Sequence, residues 1–330
     1  MKAFKNPSMA FAILSIFGLI LNFSVNAYIQ LTVLYVLVNV IVALSLNLVS
    51  GYTGQFSLGH AGFMAVGAYF SAYASIHWNF LPADLSILFF FLSTIGGGLL
   101  AAFAGWLVGQ PSLRLKGDYL AIVTLGFSEI IRVALLNLDF VGGARGLSGI
   151  PSLGSFLHTY IFAILWVLIC FFTLWRIMHS SFGRAFLSVR EDEIAAQSMG
   201  IDTTKTKVKA FVLSSFFAGT AGALLAHITS YISPSSFSFI MSVNAVIMVV
   251  LGGMGSMMGS VIAAMIVTIL PEALRPLQDL TGYDLRMVIY SLCLILVMIW
   301  RSEGLMGEKE WSDIWPVIKN KFFFKGKADV

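Results

Sequence analysis

Residues 85–108 read LSILFFFLSTIGGGLLAAFAGWLV. These 24 residues contain no Asp, Glu, Lys or Arg. An α-helix needs about 20 apolar residues to cross the hydrocarbon core of a bilayer. A strand of a membrane barrel would instead alternate over segments of about ten residues. This run is continuous, and backbone groups in lipid must be satisfied within their own segment, so it should be a helix. Similar runs fall at about 9–29, 31–50, 60–76, 118–138, 157–177, 209–230, 243–270 and 286–300. The composition agrees. Hydrophobic residues make up 58% and charged residues 11%, against about 45–50% and about 25% in soluble domains. Mean hydropathy is +0.89. The expected fold class is all-α: a polytopic transmembrane helical bundle.

Two segments break the pattern. Ser50 to Tyr69, SGYTGQFSLGHAGFMAVGAY, carries Gly51, Gly54, Gly59, Gly62 and Gly67. The run Val243 to Leu270 is too long for one simple span and has LGGMGSMMGS at its centre. Glycine suits sharp turns and close backbone approach, so this run reads as a broken hairpin of two short helices. Lys and Arg set orientation through their excess on the inner side. With the N-terminus inside, that side holds Lys2, Lys5, Arg114, Lys116, Arg184, Arg190, Lys205, Lys207, Lys209 and the basic residues from Arg301 onward. The opposite loops hold Arg145 and Arg275, with Arg286 at a boundary. The bias closes only if 243–270 crosses an even number of times. The expectation is eight full spans plus a two-limbed broken element, with both termini cytoplasmic.

The domain plan that follows is a transmembrane domain over 1–308, a cytoplasmic loop at 178–208, and a cytoplasmic tail at 309–330. No part outside the membrane is large enough for its own core. The N-terminal run behind Lys2 and Lys5 has signal-peptide features, with Val25 and Ala27 near a cleavage position. Further spans follow at once, so an uncleaved first helix is expected. Net charge is +4. The basic residues sit in short loops, which points to topology rather than to nucleic acid. Cys170 and Cys293 lie in apolar runs without metal or CxxC spacing.

The loop reads HSSFGRAFLSVREDEIAAQSMGIDTTKTK. Ser188 with Glu191 three residues on forms a capping-box pattern, and Gly200 is a stop signal. A short helix over Glu191–Met199 is expected at the membrane surface, with Ile194 and Ala195 as a small apolar face. Within it, Glu193 to Gly200, EIAAQSMG, matches the E-x-A-A-x-x-x-G pattern of ABC importer permeases. LSLNLVSGYTGQFSLGHAGFMAVGAY (44–69), LRLKGDYLAIVTLGFSEIIR (113–132), GGARGLSGIP (142–151) and RSEGLMG (301–307) narrow the match. Over about residues 40–307 the chain resembles the LivM-type permease of branched-chain amino acid ABC importers. It departs at Ala144 and Arg145, where the family has a Pro-Asn type pair, and at Ser302, where the family has Pro.

The resemblance implies a type II-like ABC importer fold in a bacterial inner membrane and a transport subunit rather than an enzyme. It implies a homologous LivH-type permease partner, two ABC ATPase subunits, an external solute-binding protein and a branched-chain amino acid as cargo. It implies that the 184–202 loop couples to the ATPases, with Arg184, Glu193, Ala195, Ala196 and Gly200 as coupling residues. No G-x-x-x-x-G-K-[ST] phosphate loop occurs in the chain. ATP and magnesium are therefore expected on the partner subunits, with no cofactor, catalytic residue or metal site in this chain. Irregular backbone at membrane depth must be covered by protein or line a wet cavity, and broken segments in both halves of a transporter mark its path. Gln55, Gly59, His60, Gly252, Gly253 and Gly255 are the path candidates, tight glycine packing being the competing reading. Glu129 and Arg132, three apart on one helix face, read as an intramembrane ion pair or as a solute contact. The same architecture could serve urea, short amides or other amino acids. An ion-coupled secondary transporter is the more distant alternative, and it would need ionisable groups deep in the membrane. The scattered His60, His77, His158, His179 and His227 give no intramembrane catalytic cluster.

Overall fold

The computed structural model describes residues 7–78, 86–113, 117–275, 286–301 and 304–307. Lys2, Lys5, Arg114, Lys116, Ser302 and the expected tail at 309–330 lie outside them. The helices are α1 (Pro7–Ser24), α2 (Ala27–Ser50), α3 (His60–His77), α4 (Ser86–Ser112), α5 (Asp118–Asn137) and α6 (Phe156–Met178). They continue with α7 (Ser181–Glu191), α8 (Glu193–Ser198), α9 (Thr203–Thr229), α10 (Phe239–Gly252), α11 (Met257–Ala273) and α12 (Arg286–Trp300). Among the described residues, α2, α4, α5, α6 and α9 are long and apolar enough to cross a bilayer. One short antiparallel pair, β1 (Leu147–Ser148) and β2 (Tyr231–Ile232), ties the loop after α5 to the end of α9, with Leu147 opposite Ile232.

At the centre α3, α4 and α9 meet along small residues. A Cβ on Gly67 of α3 would collide with the backbone of Gly219 in α9, and one on Gly97 of α4 would sit 2.6 Å from the carbonyl oxygen of Gly67. Glycine here lets three backbones touch, the packing mode that lipid-embedded helices favour in place of a hydrophobic drive. Side chains close the remaining space. Phe63, Phe211, Phe217 and Trp166 are fully buried, and Phe63 meets Phe211 edge to face at 5.4 Å. The outer face of α4 shows the opposite chemistry: Leu88, Leu92, Leu99 and Phe103, at helical spacing, are exposed. An apolar stripe of that length suits lipid rather than water.

Both irregular segments are narrower than their glycines suggest. The chain is non-helical over 51–59 but turns regular from His60, so 60–69 belongs to α3. The helix survives its glycines because α4 and α9 wrap it. The 243–270 run is two helices, α10 and α11, separated at Gly253–Ser256. Gly252 and Gly259 touch backbone to backbone across the break, so the two limbs lie against one another.

Candidate functional site

The α7–α8 segment is built by caps. The Ser180 hydroxyl accepts the Phe182 N–H at 3.2 Å to start α7. Gly183, Phe186 and Val189, spaced three apart, are its buried face. Asp192 then takes an extended conformation, and its Oδ1 accepts the N–H groups of Ile194 (2.8 Å) and Ala195 (3.0 Å). Ser188 is not the cap: its hydroxyl donates back to the Ala185 carbonyl within α7. The expected single helix over Glu191–Met199 is therefore two helices meeting at Asp192. Packing decides this. Burial of Phe186 and Val189 extends α7 through the position where the capping-box pattern would have started a helix.

After α8 the chain reverses at Gly200, whose φ is +85°. That left-handed conformation is the usual glycine helix stop, and the Ile201 N–H closes it on the Ala196 carbonyl at 3.1 Å. Glu193 faces inward. Its Oε2 lies 2.8 Å from Lys207 Nζ on α9, and its Oε1 accepts the Thr203 hydroxyl at 3.2 Å. Of the other sequence-predicted coupling residues, Ala196 is buried, while Ala195 and Arg184 are exposed. Ile194 of α8 and Met199 just beyond its end, at 70% and 83% exposure, are uncovered apolar side chains of this turn. Met199 was not among the sequence candidates, although it sits beside the Gly200 stop. Asp202 caps α9 through the Lys205 N–H at 3.0 Å. The N–H and ammonium of Lys205 together hold the Asp202 carboxyl below its ordinary value of 3.8.

Arg190, next to the end of α7, reaches into the bundle. Its Nη1 donates to the Gly51 carbonyl at 3.1 Å, and a Cβ on Gly255 would lie 2.9 Å from the same nitrogen. The two irregular segments meet at this point. The fully buried Asn47 accepts the Gly255 N–H at 2.9 Å and donates to the Ser256 carbonyl at 3.0 Å. Gly253 and Gly255 adopt φ of +105° and +91°. Leu305 and Met306 add two backbone bonds, to Leu251 and Gly252. The structure thus gathers Gly252, Gly253 and Gly255 beside Gly51, under α7.

The remaining predicted path residues lie in the packed interior. Gly59 presses on α5, where an added Cβ would sit 3.0 Å from the Thr124 carbonyl oxygen. His60 Nε2 bonds the Ser214 hydroxyl of α9 at 3.0 Å, so its partner is a side chain rather than backbone. Gln55 is 4% exposed, and its amide has no partner among the described residues. Glu129 and Arg132 form the expected pair at 2.7 Å, with both side chains partly exposed.

A cavity of about 670 Å³ opens between α2, α10, α11 and α12. Its wall uses Tyr35–Val42 of α2, Ile240–Met248 of α10 and Val267–Pro271 of α11. These are the parts of α10 and α11 away from the Gly253 break, so the cavity lies in the half of the bundle opposite α7. None of the six path candidates lines it. Its amides, Asn39 and Asn244, are polar residues inside otherwise apolar runs, and that signal could have marked them from the sequence.

Long apolar helices with apolar outward faces, a capped surface turn and a broken hairpin define a polytopic helical membrane protein of the transporter kind. Residues 28–298 match the family described as branched-chain amino acid transport system / permease component, and the chain belongs to that family. It is 37% identical over 306 residues to the high-affinity branched-chain amino acid transport system permease protein LivM of Salmonella typhimurium, covering 82% of this chain and 68% of that one. It is 37% identical over 312 residues to LivM of Escherichia coli, covering 84% and 68%. It is 26% identical over 328 residues to a probable LivM of Methanocaldococcus jannaschii, covering 85% and 93%. No solved structure matches.

Proposed function

We propose that this chain is a membrane-spanning permease subunit of an ATP-driven importer of branched-chain amino acids, working beside a second, LivH-type permease. The observation that carries the coupling half of this reading is the α8 turn. It is held rigidly by the Asp192 cap and the Glu193–Lys207 pair, yet it shows uncovered Ile194 and Met199. A fixed protrusion with an apolar tip suits a groove on another protein, and the partner is an ABC ATPase subunit. Two such subunits bind and hydrolyse ATP with magnesium, while an external binding protein delivers leucine, isoleucine or valine. The α7–α8 side faces the cytoplasm, which agrees with the basic residues around it, and the membrane is a bacterial inner membrane. The chain itself breaks no bond of its cargo.

The mechanism follows from the junction. Movement of α8 carries Arg190 with it. Arg190 grips Gly51, which stands against the Gly253–Ser256 break. A displacement at the surface therefore reaches the ends of α2, α10 and α11 through the Arg190 guanidinium and the Asn47 amide. The test is reconstitution of the chain with its partner permease, both ATPases and the binding protein in liposomes. ATP-dependent uptake of leucine by the complete set, and none by the chain alone, is the expected result. Uptake by the purified chain alone, or uptake that survives without ATP, overturns the reading.

A further inference from the structure

We propose that the cavity between α2, α10, α11 and α12 is a solute chamber, selective for a neutral zwitterion with a short aliphatic side chain and using Asn39 and Asn244 as its polar contacts. The inference rests on the transport reading above and adds the place and chemistry of recognition.

The wall is divided by chemistry. Val38, Val42, Met241, Met248 and Val267 supply apolar surface, which suits a branched alkyl group. Among the described residues no Asp, Glu, Lys or Arg lines it; Glu272 follows the lining residue Pro271 but is not part of the wall. A solute with a net charge would enter without a counter-charge, at high cost in a low-dielectric site. A zwitterion carries no net charge and needs only dipoles at each end. The structure offers both signs of dipole. Asn39 Nδ2 donates to Thr268 Oγ1 at 2.8 Å, and both residues line the cavity. This leaves the Asn39 amide oxygen as an acceptor. Asn244 lines it too, and an amide can meet a carboxylate with its NH₂ or an ammonium with its oxygen. Pro271 has no N–H to return to the Val267 carbonyl four residues earlier. That carbonyl therefore lacks its usual helical donor, within a segment that lines the wall. An apolar pocket with a few placed polar groups is the general form of a small-molecule site, and about 670 Å³ lies within the usual range of about 300–1,000 Å³.

The test uses the complete five-component complex with Cys170 and Cys293 replaced by alanine and Asn244→Cys introduced. A charged thiol reagent is added with and without amino acids. Leucine is expected to slow labelling about tenfold once present at about ten times its dissociation constant, with lysine and aspartate giving no protection. A second variant, Asn244→Leu, is expected to lower leucine uptake about tenfold or more while the complex still co-purifies intact. Labelling that leucine does not slow at any soluble concentration, in a complex that still imports leucine, overturns the chamber. Equal protection by lysine overturns its selectivity. Loss of ATP-dependent leucine uptake in the unmutated complex would strike the transport reading instead, which separates the two failures.

Discussion

The two ends of this bundle are built on different terms. Beneath α7, within a few residues of Gly255, an arginine, a buried asparagine and backbone bonds from 305–306 lock four chain segments together. At the opposite end α2, α10, α11 and α12 surround a cavity, with the Asn39–Thr268 bond in its wall. The comparison teaches where each half of a transport cycle can reside. An end that transmits force must not yield, so Arg190, Asn47 and the 305–306 backbone are spent on fixed partners. An end that receives cargo must keep polar groups unspent, because a bond already satisfied has little to offer a solute.

The comparison is open to attack. The largest effect is expected for Asn47→Leu, which strips partners from a buried N–H and a buried carbonyl at once. A loss of about 2–5 kcal/mol should lower the thermal unfolding midpoint of the solubilised protein and expose the 253–256 turn to protease; an unchanged midpoint would mean the lock is decorative. Next comes Gly200→Pro. Proline holds φ near −65° and the site has φ +85°, so the α8 turn must rebuild. Uptake should vanish while membrane insertion, read by fractionation, remains. Glu193→Lys should act alike but less completely, because it sets a like charge against Lys207. Arg190→Ala should lower uptake about tenfold with ATPase activity retained, a split that simple unfolding would not give. The smallest effect concerns pH. The Asp202 carboxyl is held low in the folded chain, so its capping contribution is present above the ordinary value of 3.8 and fades only as pH falls through the lower, folded value. Protection of the Lys205 amide against hydrogen exchange should be flat from about pH 7 to about pH 5.

Much of the helical plan was legible because each run is apolar without interruption and glycine marks the breaks. The hairpin at 243–270 could be read from its length, its glycines and the parity of the charged loops. The start of α8 could not, since Ser188 and Glu191 make a good local cap and only the tertiary burial of Phe186 and Val189 overrides it. Glu193 was legible as a member of the motif, but its partner Lys207 lies a helix away. The cavity was hardest, for its wall runs from Tyr35 in α2 through Leu225 in α9 and the α10–α11 hairpin to Tyr290 in α12, and no short motif spans them.

The backbone contact of Gly67, Gly97 and Gly219 constrains any cycle of motion. Three helices touching main chain to main chain have no side-chain cushion between them, so they can only travel as one block. Whatever swings must therefore pivot around that block, and α10 and α11, touching main chain to main chain at Gly252 and Gly259, move as a second unit against it.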